Sequence, residues 1–158
     1  MNTDMILKMH STASRDTELL AKKIGNRLKG GEVIELLSDL GGGKTTFVRG
    51  LVEGSGSHDH VASPTYTISR NYSAPKFNIH HFDFYRLQEA GLIGPELEEV
   101  LNDSSGVVVV EWAEVVRHVL PEERAAIKIS LLENDERDIT IKYPESMKYL
   151  FEDLEANK

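Results

Sequence analysis

Apolar residues are concentrated in two short runs, and they recur at helical spacing before the first of these runs. The run 33–37 is apolar except for one glutamate, and 107–110 consists of four valines, as is typical of strands buried on both faces. Leu20, Ile24 and Leu28 recur every four residues, and this spacing predicts a helix. Helices that alternate with buried strands predict an α/β fold.

Further patterns predict the remaining strands and a last helix. Alternation over 66–69 and the run 77–86 indicate two strands, and 126–131 with 139–143 has the pattern of a β-hairpin. Apolar spacing across 147–154 predicts a closing amphipathic helix. We expect the hairpin to add antiparallel strands at the sheet edge. The fold prediction is a P-loop NTPase-like three-layer α/β sandwich with a mixed, partly antiparallel β-sheet.

The composition is that of an acidic globular protein. Its 158 residues suit one domain, residues 1–158, and its 40% hydrophobic and 28% charged content is ordinary. The formal net charge of −8 argues against avid nucleic-acid binding by the chain alone. The absence of cysteine excludes disulfides and thiolate zinc sites. We expect a cytoplasmic protein, because the sequence has the pattern of neither a signal peptide nor a membrane span.

A glycine-rich loop follows the first predicted strand and leads into a helix. Glycines let backbone N–H groups curl around a polyphosphate, and the helix start favours the same anion. Lys44 is expected to reach the β- and γ-phosphates, Thr45 to bind Mg²⁺ and Thr46 to contact the α-phosphate. Ser38 replaces the usual first glycine of the pattern. The predicted nucleotide-binding residues of the loop are Asp39, Leu40, Gly41, Gly42, Gly43, Lys44, Thr45 and Thr46.

Two carboxylates at the ends of predicted strands are candidates for metal binding or water activation. Asp83 lies near the end of the 77–86 strand, and Glu111 follows the four valines. An acid at such a position beside a P-loop holds Mg²⁺ or orients the attacking water, and the pattern does not rank the two. Pro64 stiffens the turn that presents Thr65, which makes Thr65 a candidate sensor of Mg²⁺ or the γ-phosphate.

Two other features have structural interpretations. His80 and His81 are adjacent on a strand and point to opposite faces, so we expect one to be packed, one to be exposed, and no shared zinc site. Trp112 is interpreted as a core residue. The alternative for Trp112 is an aromatic ring that covers the nucleotide or contacts a partner.

Four segments, taken in order, carry motifs of one known family. They are the loop 38–46, Ser-Pro-Thr-Tyr-Thr at 63–67, His-Phe-Asp-Phe-Tyr-Arg at 81–86, and the valine run with Glu-Trp at 107–112. Together they resemble the TsaE (also called YjeE) family, the P-loop ATPases of bacterial tRNA threonylcarbamoyladenosine biosynthesis. The loop departs from the family pattern twice, with serine for its first glycine and glycine for its alanine.

The resemblance implies an ATPase that binds ATP and Mg²⁺, is slow alone, and acts with the TsaB and TsaD proteins in modifying adenosine 37 of tRNA. It meets tRNA only through that complex. The resemblance also implies that Thr45 and Glu111 hold the metal, that Asp83 serves hydrolysis, and that Thr17 lies near the base. The candidate catalytic residues are Lys44, Asp83 and Glu111. A P-loop small-molecule kinase and a nucleotide-dependent binding switch without productive hydrolysis remain as alternatives.

Overall fold

The structure is a computed structural model that describes residues 4–38, 43–64, 67–87, 91 and 93–154. The predicted loop residues Asp39 to Gly42 and the predicted sensor Thr65 lie outside these residues. The strands and α-helices are, in chain order, β1 (Met5–Ser11), α1 (Ser14–Asn26), β2 (Val33–Leu37), α2 (Lys44–Gly54), β3 (Ser69–Ser73), β4 (Asn78–Asp83), α3 (Ile93–Leu101), β5 (Val107–Glu111), β6 (Ala125–Leu131), β7 (Arg137–Tyr143) and α4 (Lys148–Phe151). Single 3₁₀ turns cover Ala113–Val116, Glu133–Asp135 and Glu145–Met147.

The strands form one mixed sheet in the order β1-β7-β6-β2-β5-β4-β3. The four central strands β6, β2, β5 and β4 run parallel, whereas β7 is antiparallel to both β6 and β1, and β3 is antiparallel to β4. The predicted α/β fold with a mixed, partly antiparallel sheet is confirmed. Because of these directions, the C-terminal ends of β2, β5 and β4 lie at the same end of the strands as the first residue of β7.

Side chains alternate across the sheet and form a core on each face. Ile34 and Leu36 face a core shared with α1, α2 and the C-terminal helix, whereas Val33 faces a second core under α3 and the first 3₁₀ turn. This arrangement gives the three layers that the sequence predicts. In the described residues, no helix is both long and apolar enough to cross a membrane.

The sequence interpretation missed one strand and misplaced another element. β1 was not predicted, because it is an edge strand whose alternate residues are only half-buried, with Ile6 62% exposed. The hairpin β6–β7 is not at the edge as predicted: β6 pairs with β2 inside the sheet, and β1 covers β7. The predicted strand over 66–69 begins instead at Ser69 and continues to Ser73.

Glycines bring α1 and α2 into close contact on one face of the sheet. A Cβ on Gly25 would lie 2.1 Å from the Leu51 carbonyl oxygen, and a Cβ on Gly50 would lie 2.2 Å from that of Glu18. No side chain fits at either point. This backbone contact fixes the position of α2, which carries Lys44 as its first residue, relative to α1.

Candidate nucleotide-binding site

The first turn of α2 has the geometry of an anion-binding helix start. Gly43, which precedes the helix, has φ 100° and ψ 15°, a left-handed conformation that favours glycine. Its carbonyl oxygen accepts a hydrogen bond from the Phe47 N–H at 3.0 Å. The first N–H groups of α2 have no acceptor within the helix, as at any helix start, and such groups favour an anion. Thr45 and Thr46 follow in the same turn and are half-buried.

Lys44 is buried and lies against three different groups. Its Nζ donates a hydrogen bond to the Ser38 carbonyl oxygen at 3.1 Å and lies 4.0 Å from Glu111 Oε1. The same atom is 4.2 Å from the centre of the Trp112 ring, within the range of a cation–π contact. Since Ser38 makes this bond through its backbone, the contact does not depend on serine in place of glycine.

Glu111 ends the fully buried strand β5 and is only 2% exposed. His81 Nε2 lies 2.6 Å from Glu111 Oε2, and because a carboxylate accepts, this nitrogen carries the hydrogen. His81 is fully buried, as the opposite-face argument allowed, whereas His80 is half-buried and bonds Asn71. The contact of His81 with Glu111 was missed by sequence reasoning. One feature of the sequence could have indicated this contact: His81 lies two residues before Asp83 and is therefore on the same face of β4.

Asp83 lies beside Glu111 on the neighbouring strand. The two are register partners in the parallel pair β4–β5, and the Phe84 N–H bonds the Glu111 carbonyl oxygen at 3.0 Å. Asp83 is 4% exposed, and its Oδ1 accepts a hydrogen bond from the Tyr85 N–H at 2.9 Å. The structure thus brings the two predicted acids together at the C-terminal ends of two neighbouring parallel strands.

Trp112 forms one wall of this region. It is half-buried at the margin of the α3-side core, so it is neither a full core residue nor fully exposed. Its backbone is left-handed, with φ 56° and ψ 54°, and this conformation turns the chain sharply after Glu111. The exposed Tyr85 ring packs against it with centroids 5.0 Å apart.

The residues present fit a Mg²⁺ ion that is shared with phosphate. The described residues hold no group of three or more His, Asp or Glu side chains able to bind a metal by themselves. Mg²⁺ is usually bound through one or two carboxylates together with phosphate oxygens and water. Glu111 and Asp83 are neighbouring carboxylates at the ends of β5 and β4, and Thr45 lies in the first turn of α2.

Thr17 and Arg137 are two further buried polar residues, and both are next to Ser11 at the end of β1. Thr17 is fully buried, and its hydroxyl donates to Ser11 Oγ at 2.9 Å. Ser11 is the register partner of Arg137, which is 5% exposed and lies against Gly43. Arg137 was not predicted as a site residue, since one arginine after an acidic turn carries no distinctive pattern.

Comparison with known proteins identifies the family. The model of the family "Threonylcarbamoyl adenosine biosynthesis protein TsaE" matches residues 11–139. The chain belongs to the TsaE family. It is 39% identical over 135 residues to the tRNA threonylcarbamoyladenosine biosynthesis protein TsaE of Bacillus subtilis, covering 85% of this chain and 84% of that protein. The TsaE protein of Treponema pallidum is 33% identical over 131 residues, which cover 83% of this chain and 96% of that protein.

A solved structure supports the same relationship. The crystal structure of Bacillus subtilis YdiB superposes with a TM-score of 0.78 at 30% identity and covers 99% of both chains. As a TsaE protein, this chain is assigned to tRNA threonylcarbamoyladenosine biosynthesis, and the family is P-loop NTPase-like.

Proposed function

We propose that this TsaE protein binds Mg²⁺ and ATP at the start of α2 and hydrolyses the ATP slowly. One observation carries the proposal: the buried Lys44 follows a left-handed glycine at a helix start and lies 4.0 Å from the buried Glu111 at a parallel strand end. A cation, free helix N–H groups and a carboxylate at that spacing are the parts that phosphoryl transfer requires.

Lys44 exchanges partners when a nucleotide binds. Its charge is balanced by Glu111, and at 4.0 Å this attraction is worth about 4 kcal/mol at an effective dielectric constant of about 20. The β- and γ-phosphates offer Lys44 a stronger anion, and its contact with the Ser38 carbonyl oxygen is lost or shared. The flexible lysine stem allows this movement.

The two buried carboxylates make the metal necessary for tight binding. The ionised phosphates of metal-free ATP carry about four negative charges. Binding would bring these charges next to Asp83 and Glu111, and like charges at short range repel. Glu111 and Thr45 would hold Mg²⁺. Bound Mg²⁺ would neutralise phosphate charge, the chemistry that it supplies in this class of site. We therefore expect ATP to bind far more weakly in EDTA.

Asp83 serves the hydrolytic step by orienting the attacking water. The water oxygen forms a bond to the γ-phosphorus, and the bond from that phosphorus to the β-γ bridging oxygen breaks, which releases ADP, phosphate and a proton from the water. The bond from the Tyr85 N–H at 2.9 Å fixes the Asp83 carboxylate at the strand end. Lys44 stabilises the charge that develops on the phosphates.

The chain acts in tRNA modification through partner proteins. We propose that it works with TsaB and TsaD, that this complex modifies adenosine 37, and that ATP hydrolysis cycles the complex. The net charge of −8 supports an indirect contact with tRNA, because phosphate backbones are bound by basic surfaces.

Phosphate release from ATP, measured for the chain alone and with TsaB and TsaD added, tests the proposal. We expect slow Mg²⁺-dependent release that the partners change. Glu111→Gln should abolish most of it, whereas Glu114→Gln, an exposed acid three residues along, should leave it unaltered. Label found on a small molecule instead of phosphate would favour a kinase, and tight binding without any release would favour a switch.

A further inference from the structure

Arg137 lies directly against the glycine that starts the nucleotide site. It is the first residue of β7, and its side chain lies next to Gly43. A Cβ added to Gly43 would lie 2.9 Å from Arg137 Nε, 3.6 Å from Cδ and 3.7 Å from Cζ. The guanidinium group and Lys44 therefore lie next to the same glycine.

Burial separates these two cations from the others in the described part of the chain. Among the described lysines and arginines, Lys44 and Arg137 are the two buried ones, at 7% and 5% exposure. Burying a charge is costly unless it is paired and hydrogen-bonded. Two buried cations beside one helix start therefore call for an anion larger than the protein carboxylates at hand.

The pairing of Arg137 within the protein is incomplete. Nη1 donates to the Asp135 carbonyl oxygen at 3.1 Å and Nη2 to Asp135 Oδ1 at 3.2 Å. The Asp135 side chain is itself 62% exposed, so this ion pair is weakened by water. Arg137 Nε is buried and has no hydrogen-bond partner among the described residues.

A purely structural role explains only part of this arrangement. Asn134 and Asp135 both have positive φ, at 58° and 62°, and the bonds from the two Nη atoms stabilise that turn. The turn does not use Nε, and it does not require the guanidinium group to pack on Gly43. The remaining N–H groups are available to a ligand at the start of α2.

We propose that Arg137 binds a phosphate oxygen of the nucleotide as a second cation of the site. This inference rests on the proposed ATP binding at α2. A guanidinium group suits phosphate because it donates two parallel hydrogen bonds, and the adjacent helix start favours the same anion. A side chain at position 43 would displace the guanidinium group, because its Cβ would lie 2.9 Å from Arg137 Nε.

Calorimetric binding of ATP, adenosine and inorganic tripolyphosphate to the full chain and its variants tests the inference. Arg137→Ala should weaken ATP and tripolyphosphate binding by about tenfold or more, the loss of a charged hydrogen bond. Arg137→Lys keeps the charge without the planar fork and should lose less. Lys142→Ala, which removes an exposed cation from the same strand, should bind both ligands within about twofold of the unmodified chain.

A phosphate contact should also make tripolyphosphate binding by Arg137→Ala less dependent on salt, which a merely structural role would not do. The inference is overturned if both Arg137 variants bind ATP like the unmodified chain, if neither folds, or if only adenosine binding is lost. If the unmodified chain binds neither ATP nor tripolyphosphate, the proposed function itself is wrong.

Discussion

The hydrogen bond from His81 to Glu111 gives the sharpest test of how the site is held. Both side chains are buried, and the Nε2 to Oε2 distance is 2.6 Å. We expect His81→Leu to leave Glu111 with Lys44, 4.0 Å away, as its charged neighbour, so that the carboxylate turns towards the lysine. His81→Gln should keep a donor nitrogen near the position of Nε2 and restore much of the contact.

The expected loss follows from the charge and the burial of the pair. A hydrogen bond to a charged group is worth about 1.5 to 3 kcal/mol, and here both partners are buried. His81→Leu should therefore lower the free energy of unfolding by about 2 kcal/mol, which corresponds to a fall in Tm of about 4 to 8 °C for a chain of this size. Misorienting the Glu111 carboxylate should raise the Mg²⁺ concentration needed for half-maximal ATP hydrolysis by about tenfold or more.

Thermal unfolding followed by circular dichroism, and Mg²⁺ titration of ATP hydrolysis, measure the two effects. His80→Leu is a matched control, since this neighbour lies on the opposite face of β4, is half-buried and bonds only to Asn71 among the described contacts. It should change stability by less than about 1 kcal/mol and leave the titration unchanged. If His81→Leu melts within about 1 °C of the unmodified chain and titrates identically, the reasoning about Glu111 is refuted.

Three further predictions concern single residues. Lys44→Ala should lose most ATP binding in calorimetry, because it removes the buried cation at the start of α2, and unchanged binding would contradict the P-loop assignment. Gly43→Ala should lower stability by about 1 to 2 kcal/mol in urea unfolding because of its φ of 100°, and an unaltered midpoint would contradict that backbone conformation. Hydrogen bonds with Asp138 and Glu136 raise the pKa of His10 above 6.5, so its stabilising effect is present below that pH and is lost as pH rises through the folded-state pKa. His10→Ala should therefore lower Tm at about pH 5.5 and not at about pH 8.5, and equal effects at both would contradict the ion pairing.

Local patterns predicted the parts of the site that depend on one segment. The strand, glycine loop and helix order located Lys44 at the start of α2, and the apolar run before Glu111 located that acid at a strand end. The fold class followed from the same alternation of segments. The roles assigned to Thr17 and Thr65 stay predictions, as does the division of work between Asp83 and Glu111.

Contacts between distant segments were not predictable from those patterns. The position of β1 at the edge depends on its pairing with β7. Ser11 of β1 pairs with Arg137 of β7, so the two strands are more than 120 residues apart in the sequence. The packing of Arg137 on Gly43 depends on the same pairing and on the direction of β7. A hairpin pattern fixes how its own two strands pair, but it carries no information about which neighbours they take.

Glu35 and Glu32 are buried carboxylates elsewhere in the chain, and their hydrogen bonds are those expected of a purely structural charge. Glu35 is bonded by Arg117 at 2.9 Å and by Arg124 at 3.1 Å, so both of its oxygens have partners. Glu32 accepts from the backbone N–H groups of residues 29 and 30 and from the Tyr149 hydroxyl. Each of these acids is satisfied within the protein, as fold stability alone requires.

The incomplete hydrogen bonding lies in two side chains that contact residues of the candidate site. Among the described residues, the buried side-chain nitrogens without a partner are His81 Nδ1 and Arg137 Nε. One belongs to the residue that holds Glu111, and the other lies against Gly43. Buried polar groups cost free energy when unsatisfied, and proteins keep such local conflicts mainly where a function requires them. The two unsatisfied atoms therefore belong to side chains that lie against Glu111 and Gly43, two residues of the candidate site, and this observation is independent of the P-loop motif.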